Sequence, residues 1–118
     1  MTIAGPHQVD RTLIERYAHH MTTNDPKGAA EVFTETAELH ASSENLHLRG
    51  KEQIRTHLDK TAGKASHHVT AHLPRQGDDN YADIRTEAPG QPATIDTVRF
   101  RTDGHHITKL EMINSRKA

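Results

Sequence analysis

The chain has 118 residues, enough for one domain with a single core, and no cysteine, which excludes disulfides, thiolate catalysis and thiolate metal sites. Its 15 Lys and Arg are matched by 16 acids and only two Tyr and two Phe are available for stacking, so the footprint of a nucleic-acid binder is missing. No apolar run approaches the roughly 20 residues needed to cross a bilayer, and the first six residues lack a charged stretch followed by an apolar one, so the chain reads as cytoplasmic with no membrane partner.

In chain order, residues 1–8 read as a loose tail and residues 9–118 as one domain. Asp10 is placed to cap a helix whose Leu13, Ile14, Tyr17 and Met21 follow helical spacing, with Val9 stapling onto Ile14. That helix should stop near Thr23 and Asn24. Asp25 and Pro26 then supply a cap and a first-turn proline for a short second helix through Ala29, Ala30, Val32 and Phe33. Two extended pieces follow, Ala37 to Ala41 and Leu46 to Arg49, around the turn-rich stretch 42–45. Lys51 to Thr61 reads as a third helix with Ile54 and Leu58 on one face and Gly63 just past its end. Four strands then follow, Ser66 to Pro74, Asn80 to Glu87, Pro92 to Arg101 and His106 to Ser115, joined by short turns. Short turns imply an antiparallel meander, and helices gathered at the front imply an α+β fold.

Only twenty residues are Leu, Ile, Val or Phe, a thin core, which points to help from oligomerisation, a cofactor or a partner. Within that core one polar residue stands out. Asp96 shares a strand face with Val98 and Phe100, because strand side chains alternate, so its carboxyl should point into the apolar interior. A carboxyl placed there must be paired, hydrogen-bonded or protonated. The eleven histidines include three adjacent pairs, His19 and His20, His67 and His68, His105 and His106. Adjacent histidines point apart on a helix or strand, and the helical His-Glu-x-x-His spacing is absent, so no metal is expected.

Tyr17 in the first helix, Asn24-Asp25-Pro26, Val32 to Ala37, Leu48 to Ile54, Ile95 to Phe100 and Gly104 to Ile107 together resemble, in order and spacing, the nuclear transport factor two-like superfamily, nearest its SnoaL-like and ketosteroid-isomerase-like branch. The resemblance covers roughly residues 9 to 115. It implies a curved antiparallel sheet wrapped around three helices as a cone-shaped α+β barrel, whose mouth holds a small apolar ligand and whose convex side forms a homodimer. It also implies that Tyr17 and Asp96 sit where ketosteroid isomerases place two donors to a substrate oxyanion, the enzyme that illustrates a neutral buried carboxylic acid in general accounts of catalysis. The base of those enzymes falls at about Ala41 and is therefore missing. His40 could replace it only if a slip or bulge turned it inward.

A similarity to scytalone dehydratase places His68 at a pocket histidine, able to act as base or acid near neutral pH. Ordinary strand patterning argues the reverse, since His68, Thr70 and His72 share one face and Val69, Ala71 and Leu73 the other. Phe33, His57, Val98, Leu110, Met112 and Asn114 are expected to line the ligand cavity. The resulting expectation is a cofactor-independent enzyme that transfers a proton on an apolar, carbonyl-bearing small molecule such as a polyketide or terpenoid intermediate, giving isomerisation, cyclisation or dehydration. The alternatives are a non-catalytic ligand-binding or dimerisation module and, third, an epoxide hydrolase.

Overall fold

A computed structural model describes residues 6–118. Helix α1 runs Pro6–Thr22, α2 Pro26–Glu31 and α3 Lys51–Thr61. The strands are β1 Phe33–Ala41, β2 Leu46–Arg49, β3 Ser66–Gln76, β4 Asp79–Glu87, β5 Thr94–Thr102 and β6 Ile107–Lys117. They form one curved, open six-stranded sheet in the order β2-β1-β6-β5-β4-β3. The four C-terminal strands are the expected antiparallel meander. The sheet is mixed, however, because β1 pairs parallel with β6, and this single parallel contact brings the N-terminal strand pair against the end of the chain.

The local signals explain most boundaries. Asp25 accepts from the Gly28 backbone N–H at 3.0 Å and opens α2 with Pro26 in its first turn. That helix ends at Glu31, so Phe33 belongs to β1 and not to α2. Between β1 and β2, Asn45 takes the left-handed conformation, which asparagine tolerates better than most residues. Gly63, with φ of +77°, follows α3, and its N–H donates to the Met21 carbonyl at 2.8 Å, tying the end of α3 to the end of α1.

Two expectations at the N-terminus are corrected. Helix α1 already includes residues 6–8, which were assigned to the tail; residues 1–5 lie outside the described residues. Asp10 is not a cap. It lies inside α1, buried, accepting from the Thr102 hydroxyl and facing the Arg75 guanidinium at 3.4 Å. Asp10, Leu13, Ile14, Tyr17, Ala18 and Met21 fall at helical spacing on the face that meets the sheet. The interior is filled chiefly by Phe33, Phe100, Ile14, Ile54, Leu58, Ile107 and Val32.

Candidate active site

β4 and β5 pair without interruption from Asn80 opposite Phe100 to Thr86 opposite Thr94, so alternation along β5 is undisturbed. Asp96 therefore faces inward with Val98 and Phe100, and it is 9% exposed. Three hydroxyls converge on it. Thr86 donates to Oδ2 at 2.8 Å, Ser115 to Oδ1 at 2.6 Å and Thr94 to Oδ1 at 3.2 Å. Both carboxylate oxygens are thus engaged by the protein, which satisfies a largely buried acid.

The network extends to a histidine, and a β-bulge decides which one. Val69 pairs with Ile84 but Ala71 with Asp83, so Thr70 is an extra residue in β3 and the side-chain alternation changes phase there. On the near side of the bulge His67 and Val69 face inward with Thr86 and Ile84; beyond it His72 does, its Nε2 2.8 Å from the Glu15 carboxylate of α1. His68 is exposed on the outer face. Of this pair it is His67 that contacts Thr86, while the expected His68, though exposed, lines the same cleft beside it. His67 is anchored from behind, where its backbone N–H donates to Thr22 Oγ1 at 2.8 Å, a hydroxyl whose one proton is shared between the Ala18 and His67 carbonyls.

His67 Nδ1 lies 3.3 Å from Thr86 Oγ1. Thr86 has one hydroxyl proton and gives it to Asp96, so the contact to His67 requires the imidazole to donate from Nδ1. That fixes the tautomer with the lone pair on Nε2. Among the described residues the one sealed side-chain nitrogen without a partner is His40 Nε2, so His67 Nε2, which has no protein partner, reaches the surface. His67 lines a cleft of about 310 Å³ together with Glu15, Ala18, His19, His68 and Val69. Burial pushes the His67 imidazole below its ordinary value of 6.5; the nearby Asp96 carboxylate opposes this and His68 adds to it.

Tyr17 packs edge-on against Phe33, ring centres 5.7 Å apart. Burial, with a smaller contribution from the Glu44 carboxylate, pushes its phenol up to about 12, so it stays a hydrogen-bond donor at any ordinary pH. Glu44 follows Ala41, which pairs with Met112, which pairs with Val98. Continuing along those strands leads to Ser115 and Asp96, so the phenol's acidic neighbour lies at the sheet end that carries Ser115, Asp96, Thr86 and His67. Tyr17 makes no hydrogen bond to Asp96, whose partners are the three hydroxyls.

Known proteins share both the sequence signature and the architecture. The SnoaL-like domain family matches residues 14–111. The chain belongs to that family. Its fold is also that of several solved structures. One is an NTF2-like protein of unknown function from Cytophaga hutchinsonii, with 14% identity, covering 99% of this chain and 93% of the other at a TM-score of 0.71. Another, from Catenulispora acidiphila, has a ketosteroid isomerase-like fold and was solved in complex with trimethylamine, with 19% identity, coverage of 90% and 85% and a TM-score of 0.70. A third, an NTF2-like protein of unknown function from Burkholderia xenovorans, has 8% identity, coverage of 96% and 85% and a TM-score of 0.76. No curated protein matches the chain.

Within this SnoaL-like domain the remaining expected site residues separate. Val98 and Leu110 face inward with Asp96 but are core, as is Phe33, and Met112 is half-buried opposite Val98. His40 points outward, because Leu39 and Ala41 take the inner face and the irregularity in β1 lies before Glu38. His57 lines a different cleft, between α3 and β2. Asn114 is also corrected. β6 carries an extra residue at Ile113, so Ser115 takes the inner place beside Asp96 while Asn114 pairs with Thr97 on the outer face, exposed. Thr86, Ser115 and His67 were missed. Thr86 and Thr94 could have been read from β4 and β5 alone, as short-chain donors flanking Asp96 across a regular hairpin; Ser115 and His67 hide behind bulges that nothing in the sequence marks.

Proposed function

We propose that this SnoaL-like protein is a cofactor-independent enzyme that moves a proton on a small, largely apolar carbonyl compound, with His67 as the group that carries the proton. The observation behind this reading is the chain of contacts from Asp96 through Thr86 to His67 Nδ1, which leaves a neutral Nε2 open to a cleft. In the reaction, Nε2 takes a proton from carbon next to the carbonyl, and the resulting imidazolium is stabilised through Thr86 by the Asp96 carboxylate. His67 then returns the proton to another carbon, giving isomerisation, or to a departing hydroxyl, giving dehydration. Asp96 acts here as a positioning residue and not as a donor to the substrate, since its oxygens already accept from three hydroxyls.

The test uses proton exchange, which needs no knowledge of the natural substrate. The full chain is incubated in D2O with a panel of enolisable cyclic ketones, and deuterium incorporation is followed by proton NMR. Wild-type protein should accelerate exchange for at least one bulky apolar ketone, and His67→Gln should abolish that acceleration. Acceleration that survives in His67→Gln contradicts the assignment.

A second reading, a non-catalytic binding module, is favoured by one feature: the interior is occupied by the buried side chains of Phe33, Phe100, Ile54 and Leu58. Binding of an apolar ketone with no exchange in the same experiment would support it.

A further inference from the structure

The outer face of the sheet carries a second constellation, unrelated to Asp96. Glu38 and His40 are two apart in β1 and so share a face, and His47 in β2 stands directly opposite His40 in the antiparallel register. His40 Nε2 and His47 Nε2 each lie 3.4 Å from Glu38 Oε1, and one donor atom from each residue falls within 4.8 Å of the other two. The imidazoles are 4.0 Å apart and tilted by 31°. Adjacent histidine pairs cannot build such a group; strand pairing across the β1–β2 connection does.

An independent observation points to what is missing. His40 Nε2 is sealed from solvent without a hydrogen bond, close to Glu38 but not aligned with it, and is the one such atom among the described residues. An orphaned buried nitrogen is costly unless something binds it. It lies 3.4 Å from the same carboxylate oxygen that His47 approaches. Zinc held by imidazole and carboxylate at about 2.0–2.1 Å in a tetrahedron sets ligand atoms roughly 3.3–3.4 Å apart. Both separations to Glu38 already have that length.

We propose that Glu38, His40 and His47 form a site for a first-row divalent cation, Zn2+ foremost, with three protein ligands and a fourth position open to solvent. Two imidazoles and one carboxylate suit zinc better than magnesium or calcium, which prefer oxygen ligands. The nearest opposing charge is Arg49, whose Nε is 3.5 Å from Glu38 Oε1; its side chain is 74% exposed and can swing into water. Lys109 and Glu111 of β6 sit beside Glu38 and His40 in the parallel register, and they pair with one another at 3.4 Å. Glu111 also binds Arg99, so neither carries an unmatched charge toward the site. Bound metal would clamp the four-residue edge strand β2 onto β1, and binding to the folded chain alone raises its stability.

The site is tested with untagged full-length protein, stripped with chelator and titrated with Co2+ by visible absorption and with Zn2+ by calorimetry. One equivalent should bind, the Co2+ spectrum should show intense bands of low coordination number, and Zn2+ should raise the melting temperature. His47→Ala, at a half-exposed position that leaves the core intact, and Glu38→Gln should each weaken Zn2+ binding by at least about tenfold, the scale on which even supporting residues act. Arg49→Gln should tighten it. His105→Ala and His106→Ala, at an exposed adjacent pair away from the cluster, should leave Zn2+ binding unchanged. Absence of stoichiometric binding, or binding that survives both His47→Ala and Glu38→Gln, overturns the proposal.

Discussion

Thr86 gives its only hydroxyl proton to Asp96 across 2.8 Å, and that bond determines the state of a histidine that Asp96 does not touch. Replacing Thr86 with valine keeps the shape and removes the relay. We expect Thr86→Val to lose about 1–2 kcal/mol of stability in urea titrations, since Asp96 then lacks one donor. It should also lower proton-exchange activity more than the stability change explains, while Thr86→Ser retains both. Equal activity in Thr86→Val and wild type would remove Thr86 from the pathway.

Asp96 holds three strands together as well as one histidine. Asp96→Ala removes the shared acceptor of the half-buried Thr86 and Thr94 hydroxyls and of the exposed Ser115 hydroxyl and should cost about 2 kcal/mol, whereas Asp96→Asn keeps one acceptor and should cost about 1 kcal/mol. An Asp96→Ala protein that denatures at the wild-type midpoint would show the network to be energetically idle.

His67 predicts a direction of pH dependence. Its folded value lies below the ordinary 6.5, so the unfolded chain takes up the proton first as pH falls. The stability it contributes is therefore fully present above about pH 6.5 and is lost as pH drops through 6.5 toward the folded value. His67→Gln should flatten the stability curve in that window and leave it unchanged at pH 8. A curve of the same slope in His67→Gln would place the titration elsewhere.

Gly63 is a structural prediction of a simpler kind. Its φ of +77° strains any side chain, and an added Cβ would lie 2.6 Å from the Cβ of Asn24. Gly63→Ala should cost about 2 kcal/mol from the left-handed strain alone. Thermal melts of Gly63→Ala against a neutral surface variant test this, and an unchanged melting temperature would contradict it.

The sequence was most readable where local rules are strong. The Asp25-Pro26 cap, α3 with Gly63 beyond it, and the inward carboxylate of Asp96 all follow from capping, periodicity or alternation within one uninterrupted element. What was hidden depends on pairing. The bulges at Thr70 and Ile113 each reverse the alternation, which exchanged His68 for His67 and Asn114 for Ser115. The parallel contact of β1 with β6 and the meeting of His40 with His47 arise from strands distant in sequence, and no local pattern encodes them. Asp10 read as a cap because it precedes an apolar run; its partner Thr102 lies 92 residues away.

The proposed chemistry needs His67 neutral at pH 7 with its proton on Nδ1. Long-range proton–nitrogen NMR on 15N-histidine-labelled protein, with His67 assigned by comparison with His67→Gln, reads this directly. The account predicts a neutral ring protonated at Nδ1, shifting toward the Nε2–H form in Thr86→Val. A ring protonated at Nε2, or an imidazolium at pH 7, would contradict it.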